Sequence, residues 1–303
     1  MKDKLKAMVL GAFVADTLAL GAHWIYDTDR IDRLFGRIDA PKKPVQGSYH
    51  PNRKAGELTH YGDQMFWLLE SACRKQRFVL DHFAGRWREG FSDYTGYMDG
   101  ATKATLARFA DGAGPAHSGS ESDDLSAAAR IAPVAFICCR NLEAMVGAAR
   151  TQAAMTHNNA KVLDGAEFLA RVVYAVLQGS APVAAMVQVS GDFDRNPLSG
   201  WVADGLASAG DDTRKTIARF GAMCRIDSGF PGVIHLIAKY EGNFREAMVE
   251  NVMAGGDSAA RGLAAGMILG AHLGGKALPS RWLSALVEGQ KIIGLMESVD
   301  GSA

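Results

Sequence analysis

Between Ser258 and Leu273 the chain places Gly262, Gly266 and Gly270 four residues apart, and no other feature limits the fold so tightly. On a helix that spacing removes side chains from a single face, which then suits only another helix at close range. Near the other end, Gly11 and Ala15 offer a matching gap. The two ends of the chain are therefore expected to pack directly on each other. In the first segment Leu5, Met8, Val9, Ala12 and Phe13 form an apolar stripe, which Asp16, Leu20 and His23 continue.

Apolar residues at three- and four-residue spacing recur in most of the chain. They predict helices over 63–74, 101–109, 142–155, 160–178, 212–223, 231–239, 244–253, 258–273 and 280–296. Only 187–193 admits a strand, and Gly191 and Asp192 make a loop equally apt there. The fold class is all-α, a compact multi-helix domain. With 48% hydrophobic residues there is enough apolar content for a large core, and residues 1–303 read as a single domain. Two long stretches, 36–58 and 111–124, read as loops. The first carries Arg37, Lys42, Lys43, Arg53 and Lys54, cations suited to covering a phosphate-bearing substrate.

Several function classes are disfavoured. Lys+Arg and Asp+Glu are equal at 33 each, so no overall field draws the chain to nucleic acid or anionic membranes. Lys2, Lys4 and Lys6 before the apolar run 7–15 imitate a secretory leader, but Asp16 and the helical continuation argue for a mature core helix. No charge-free run reaches the roughly 18 apolar residues that span a bilayer. Cys73, Cys138, Cys139 and Cys224 lack metal-ligand spacing and read as reduced thiols, which suits a cytoplasmic protein.

Chemistry concentrates in five places. Asp16 stands on a buried stripe, where an ionised carboxylate needs hydrogen bonds or a cation, with His23, Trp24 and Tyr26 following it. Thr59-His60-Tyr61-Gly62-Asp63-Gln64 packs five polar chemistries into six residues before a helix. Asp63 alone has an ordinary explanation there, as a cap. Ser118 to Ser126 joins Ser and Gly to a helix start, as anion sites do, although Asp123 and Asp124 repel an anion. A solvated loop fits better, with Ser126 its candidate substrate contact. Thr156 or Asn159 suffices to cap the following helix, leaving His157 free for a polar ligand or a carboxylate. Gly255-Gly256-Asp257-Ser258 opens the glycine-faced helix, and the end-to-end packing would carry Asp257 toward Asp16 and Asp63.

In order along the chain, Gly11 to Asp16, Asp63-Gln64-Met65, Ala129 to Pro133, Thr156-His157, Gly255-Gly256-Asp257 and Gly266 to Ala271 resemble the ADP-ribosylglycohydrolase family, which includes the dinitrogenase-reductase-activating glycohydrolase. The resemblance implies a compact all-α domain with a binuclear magnesium site that binds the ribose of an ADP-ribosyl group. Departures are equally informative. The family's Thr-Asp-Asp ligand triad falls on His60, Tyr61 and Gly62, and the second Asp and the Thr of its C-terminal motif fall on Ala259 and Ala260. Of the magnesium ligands Asp257 is retained. His23-Trp24-Ile25-Tyr26-Asp27 and the segment 59–64 look closer to the branch that includes the J-crystallins.

The resulting expectation is a hydrolase of a ribosyl or related glycosidic bond in a small molecule or ADP-ribosylated substrate. Asp63, Asp257, His60 and Tyr61 are its candidate catalytic residues. Asp16, His23, Ser126 and His157 are candidate substrate contacts, with Asp257 the metal ligand. Asp63 or Asp257 would activate water, while His or Tyr would bind sugar hydroxyls or protonate the leaving group. The alternative is a catalytically inactive, crystallin-like or ligand-binding protein.

Overall fold

The helix Lys2–Ala19 lies against the helix Ser258–Leu273 as the glycine spacing predicts. A Cβ placed on Gly266 would come within 2.5 Å of the Gly11 carbonyl oxygen and 2.9 Å of Ala15 Cβ. One on Gly270 would strike the Ala7 carbonyl, so the two backbones touch along three turns. From Ser258 to Ala271 every residue is buried. Such a helix has no wet face and must be surrounded. Phe244–Met253, Ile226–Lys239 and Ala160–Leu177 complete its jacket.

The computed structural model describes residues 2–193 and 196–299. Among these the regular structure is helical apart from two isolated bridges, Ser120 with His157 and Asp124 with Arg225. No described helix is long and apolar enough to cross a membrane. The candidate strand at 187–193 is instead the end of the helix Pro182–Ser190 and a short 3₁₀ turn. Its Ala181-Pro182 start sets helical φ, and Ala185, Met186 and Val189 are buried at helical spacing. The helix expected over 280–296 is broken into Ser280–Ala285 and Gly289–Ser298, between which the Val287 amide pairs with the Gly56 carbonyl at 2.9 Å. The first helix stops at Ala19, so Leu20 and His23 lie beyond it in a turn.

Two polar devices fix the helices that carry the site. Thr59, not Asp63, caps the helix His60–Lys75, its hydroxyl accepting from the Tyr61 and Gly62 amides. The same residue holds Asp16: its amide donates to Oδ2 at 2.8 Å and its hydroxyl to Oδ1 at 2.5 Å. Gly62 leaves the room, since a Cβ there would lie 2.7 Å from Asp16 Cγ. The second device is Arg130, buried with no carboxylate in its hydrogen-bond set. Its guanidinium donates to Gln64 Oε1 at 2.8 Å, Gln152 Oε1 at 3.0 Å and Thr156 Oγ1 at 2.7 Å. Two separate segments, at 64 and at 152–156, thereby close on one cation, and neutral acceptors satisfy it.

Burial pushes the Asp16 carboxyl up to about 7 against the pull of both Thr59 bonds. A raised carboxyl binds its proton more tightly folded than unfolded. Its contribution to stability is therefore complete below the ordinary carboxylate range and is lost as pH rises through about 7. Denaturation midpoints compared near pH 5 and near pH 8 should fall with pH in the wild type and fall less in Asp16→Asn. Equal pH dependence in the two proteins would show that Asp16 is already ionised across that range.

Candidate functional site

The turn after the first helix is tied to the Gly255–Gly256 loop by a reciprocal pair of backbone bonds. The Trp24 amide donates to the Gly256 carbonyl at 2.9 Å, and the Gly256 amide to the Ile25 carbonyl at 2.8 Å. Gly255 and Gly256 take φ values of 70° and 64°, a region that costs glycine little. Trp24 takes φ 64° with a bulky side chain, and such strain persists only where the surroundings impose it. The tie delivers His23 and Trp24 to Asp257, which caps the helix Ser258–Leu273 by accepting from the Ala260 amide at 3.1 Å.

Tyr61, in the first turn of His60–Lys75, donates from its hydroxyl to Asp257 Oδ2 at 3.3 Å, while His23 Nδ1 stands 3.7 Å from Oδ1. His60 extends the group to Asp99, the cap of the helix Gly100–Ala110, with Nε2 3.4 Å from Oδ2. His50 comes from the long loop, its ring 5.5 Å from that of His23 and 5.3 Å from that of His60. All three imidazoles are buried, and none of their six ring nitrogens has a hydrogen-bond partner. Trp24, Tyr49 and Tyr97 meet edge to face over this group, with centroids 4.8 to 5.2 Å apart.

Ionisation follows from these surroundings. Burial raises Asp257 to about 6, with the Ala260 amide and Arg261 pulling down and Asp124 pushing up. It lifts the Tyr61 phenol well above its usual range, helped by Asp257, so that hydroxyl stays a donor. For Asp99, burial opposes ionisation, but the adjoining His60 outweighs it and, with His157 and the Thr102 amide, holds the carboxyl low. Burial and the neighbouring imidazoles drive His23 far below its normal value, and burial with His60 and Arg53 brings His50 to about 3.

Beside this group opens a cleft of about 870 Å³ lined by Tyr49, His50, Arg53, Asp63, Tyr94 and Tyr97, among others. Asp63 therefore forms part of the cleft wall, while Asp257 is buried and does not line it. The Asp63 carboxylate accepts from Arg53 and, at 2.5 Å, from the Tyr94 hydroxyl. Burial raises its pKa against the pull of Arg53 and Tyr94. Asp16 faces Thr59 and is a structural clamp. His157 shares Thr156 Oγ1 with Arg130, its Nδ1 at 2.8 Å from that oxygen, and its Nε2 is buried without a partner. Ser126 is buried with its hydroxyl unpartnered. Of the loop cations, Arg53 lines the cleft, and Arg37 is spent on Glu246 and Glu250.

The structure thus brings together His23, His60, Tyr61 and Asp257 from the sequence-derived set. Sequence reasoning missed His50, Asp99 and the Tyr49–Tyr97 pair. Asp99 carried no signal, since an Asp before a helix is an ordinary cap. His50 lies in a loop whose length allowed either a functional or a disordered segment, and the loop's cations drew attention instead.

The binuclear magnesium site implied by the resemblance does not fit this donor set. Magnesium requires hard oxygens in a near-octahedral array. Around Asp257 the contacting side chains are the His23 imidazole and the Tyr61 phenol, with the Asp124 carboxylate also acting on it, and one of its oxygens already caps a helix.

Comparison with known proteins agrees over almost the full length. The family profile described as ADP-ribosylglycohydrolase matches residues 1–302. Crystallin J1A of Tripedalia cystophora is 23% identical, covering 98% of this chain and 96% of that protein. An uncharacterized protein of Archaeoglobus fulgidus is 24% identical over 94% of this chain and 92% of its own. A solved structure titled "ADP-ribosylglycohydrolase-related protein complex" superposes with a TM-score of 0.76 at 21% identity, covering 98% of this chain and 97% of that one, which shows the fold.

Proposed function

The chain belongs to the ADP-ribosylglycohydrolase family, and from that premise we propose that it hydrolyses a ribosyl-type glycosidic bond in a small molecule or an ADP-ribosylated substrate, without the binuclear magnesium centre. The observation that carries this reading is the buried Asp257–Tyr61–His23 group next to an aromatic-lined cleft. A carboxyl raised to about 6 is ionised near neutrality yet basic enough to take a proton from water. In this reading water attacks the anomeric carbon, Asp257 accepts its proton, and the bond to the aglycone breaks. His60, oriented by Asp99, hands a proton to the leaving group. The Tyr61 hydroxyl holds Asp257 in place, while Trp24, Tyr49 and Tyr97 supply faces for a base or sugar ring.

The test is incubation with ADP-ribosyl-arginine, ADP-ribosyl-serine and simple nucleosides, with chromatographic detection of released ADP-ribose, ribose or base. Turnover of at least one, persisting in chelator without added magnesium and reduced roughly tenfold or more in Tyr61→Phe, is expected. Magnesium-dependent turnover with two tight magnesium sites per chain by calorimetry would overturn the metal-free reading.

The similarity to crystallin J1A favours a second reading, a binding or structural protein that keeps the pocket without catalysis. Thermal stabilisation by ADP-ribose with no product from any substrate would establish it.

A further inference from the structure

The magnesium donors are missing, but what stands in their region is a different donor set. His23, His50 and His60 each offer a ring nitrogen, and these atoms lie within 4.8 Å of one another. Buried polar atoms are ordinarily hydrogen-bonded, and leaving one unpaired costs on the order of 1–3 kcal/mol. Here six ring nitrogens are buried without a hydrogen bond, and of these His23 Nδ1 and His60 Nε2 approach carboxylates at 3.7 and 3.4 Å.

The ring spacing suits a shared ligand. With metal–nitrogen bonds of roughly 2.0–2.1 Å, three tetrahedral imidazoles hold their centroids about 5 Å apart. The observed separations are 5.3, 5.5 and 6.0 Å, near that spacing, and an ion would draw the donor nitrogens from within 4.8 Å of one another to about 3.3 Å. Neutral imidazole favours zinc and the later first-row metals over magnesium. Two carboxylates flank the cluster, Asp257 beside His23 and Asp99 beside His60, as partners that orient metal-bound imidazoles do, and together they balance a divalent charge. Arg261, the buried cation beside Asp257, is directed to Asn251 and the Gly255 carbonyl. His50 lines the cleft and so gives an ion a route in.

The geometry points to a mononuclear zinc-type transition-metal site formed by His23, His50 and His60, with its fourth position left to water or a neighbouring carboxylate. The site uses His60, the acid of the proposed mechanism, so the two are alternative uses of that imidazole, and a chain that binds zinc but hydrolyses nothing keeps this site and loses only that activity.

The experiment uses the full chain stripped with chelator. Zinc is titrated in competition with a chromophoric chelator, cobalt(II) serves as a spectroscopic stand-in, and X-ray absorption at the zinc edge counts imidazole neighbours. One zinc per chain, intense visible cobalt bands typical of four-coordination and three imidazole neighbours are expected. His50→Gln, a loop substitution that spares both site helices, should weaken zinc by on the order of a hundredfold. His117→Gln, at an exposed histidine, should leave it unchanged. Absence of saturable zinc binding, fewer than three imidazole neighbours in the wild type, or undiminished affinity in a folded His50→Gln would overturn the site.

Discussion

Replacing Gly266 by leucine is expected to lower the unfolding free energy by about 3 kcal/mol or more, beyond the usual 1–3 kcal/mol of an overpacked core. Ordinary overpacking is relieved by neighbouring side chains that change rotamer. At Gly266 the obstacle is the Gly11 carbonyl, 2.5 Å from the position of a Cβ, with Ala15 Cβ at 2.9 Å. Backbone cannot step aside without separating the two helices around which the core is built. Urea denaturation of purified variants measures the loss, and Gly266→Ala should show a smaller one. A useful contrast is Gly147→Ala, in an exposed helical position with open space around it, which should gain roughly 0.5–1 kcal/mol from helix propensity alone. Equal midpoints for wild type and Gly266→Leu would sink the close-packing account.

The second large effect is expected at Asp257. Asparagine in its place still caps the helix Ser258–Leu273, so folding should survive. It cannot take a proton from water, and loss of a general base costs turnover on the order of 10²–10⁴-fold. In the wild type kcat should climb as pH rises through about 6, where Asp257 ionises, and fall again at higher pH, where the leaving-group acid loses its proton. Asp63→Asn should behave differently. Its carboxylate is bound to Arg53 and Tyr94 in the cleft wall, so the variant should raise KM while leaving kcat within a few-fold. Full activity in Asp257→Asn, or an equal kcat loss in both variants, would reassign the base.

The legible part of this molecule was its periodicity. Glycine spacing announced the pairing of the two end helices because backbone approach depends on the absence of side chains, which a sequence states outright. Helix-forming stretches were readable for the same reason, down to Phe244–Met253. The break at 286–288 was not, since the hydrogen bond from the Val287 amide to the Gly56 carbonyl is a tertiary event. Within the site, residues adjacent in sequence to a motif were found: His23, His60, Tyr61, Asp257. His50 and Asp99 were not, because each reaches the cluster by the path of a loop or the direction of a cap. Gln64 shows the converse. It stands in a motif rich in reactive groups, yet its amide oxygen receives Arg130 and the Trp87 indole, a purely architectural task.

The pairing of Lys2–Ala19 with Ser258–Leu273 also sets a schedule for synthesis. A ribosome adding 5–20 residues per second needs roughly 12–50 s to travel from the end of the first helix to the start of its partner. For that whole interval the nascent amino-terminal segment carries an apolar stripe with its native cover still untranslated. The central helix and its jacket therefore assemble only once nearly all of the chain has emerged, and the cellular yield of this protein depends on what shelters its first twenty residues until then.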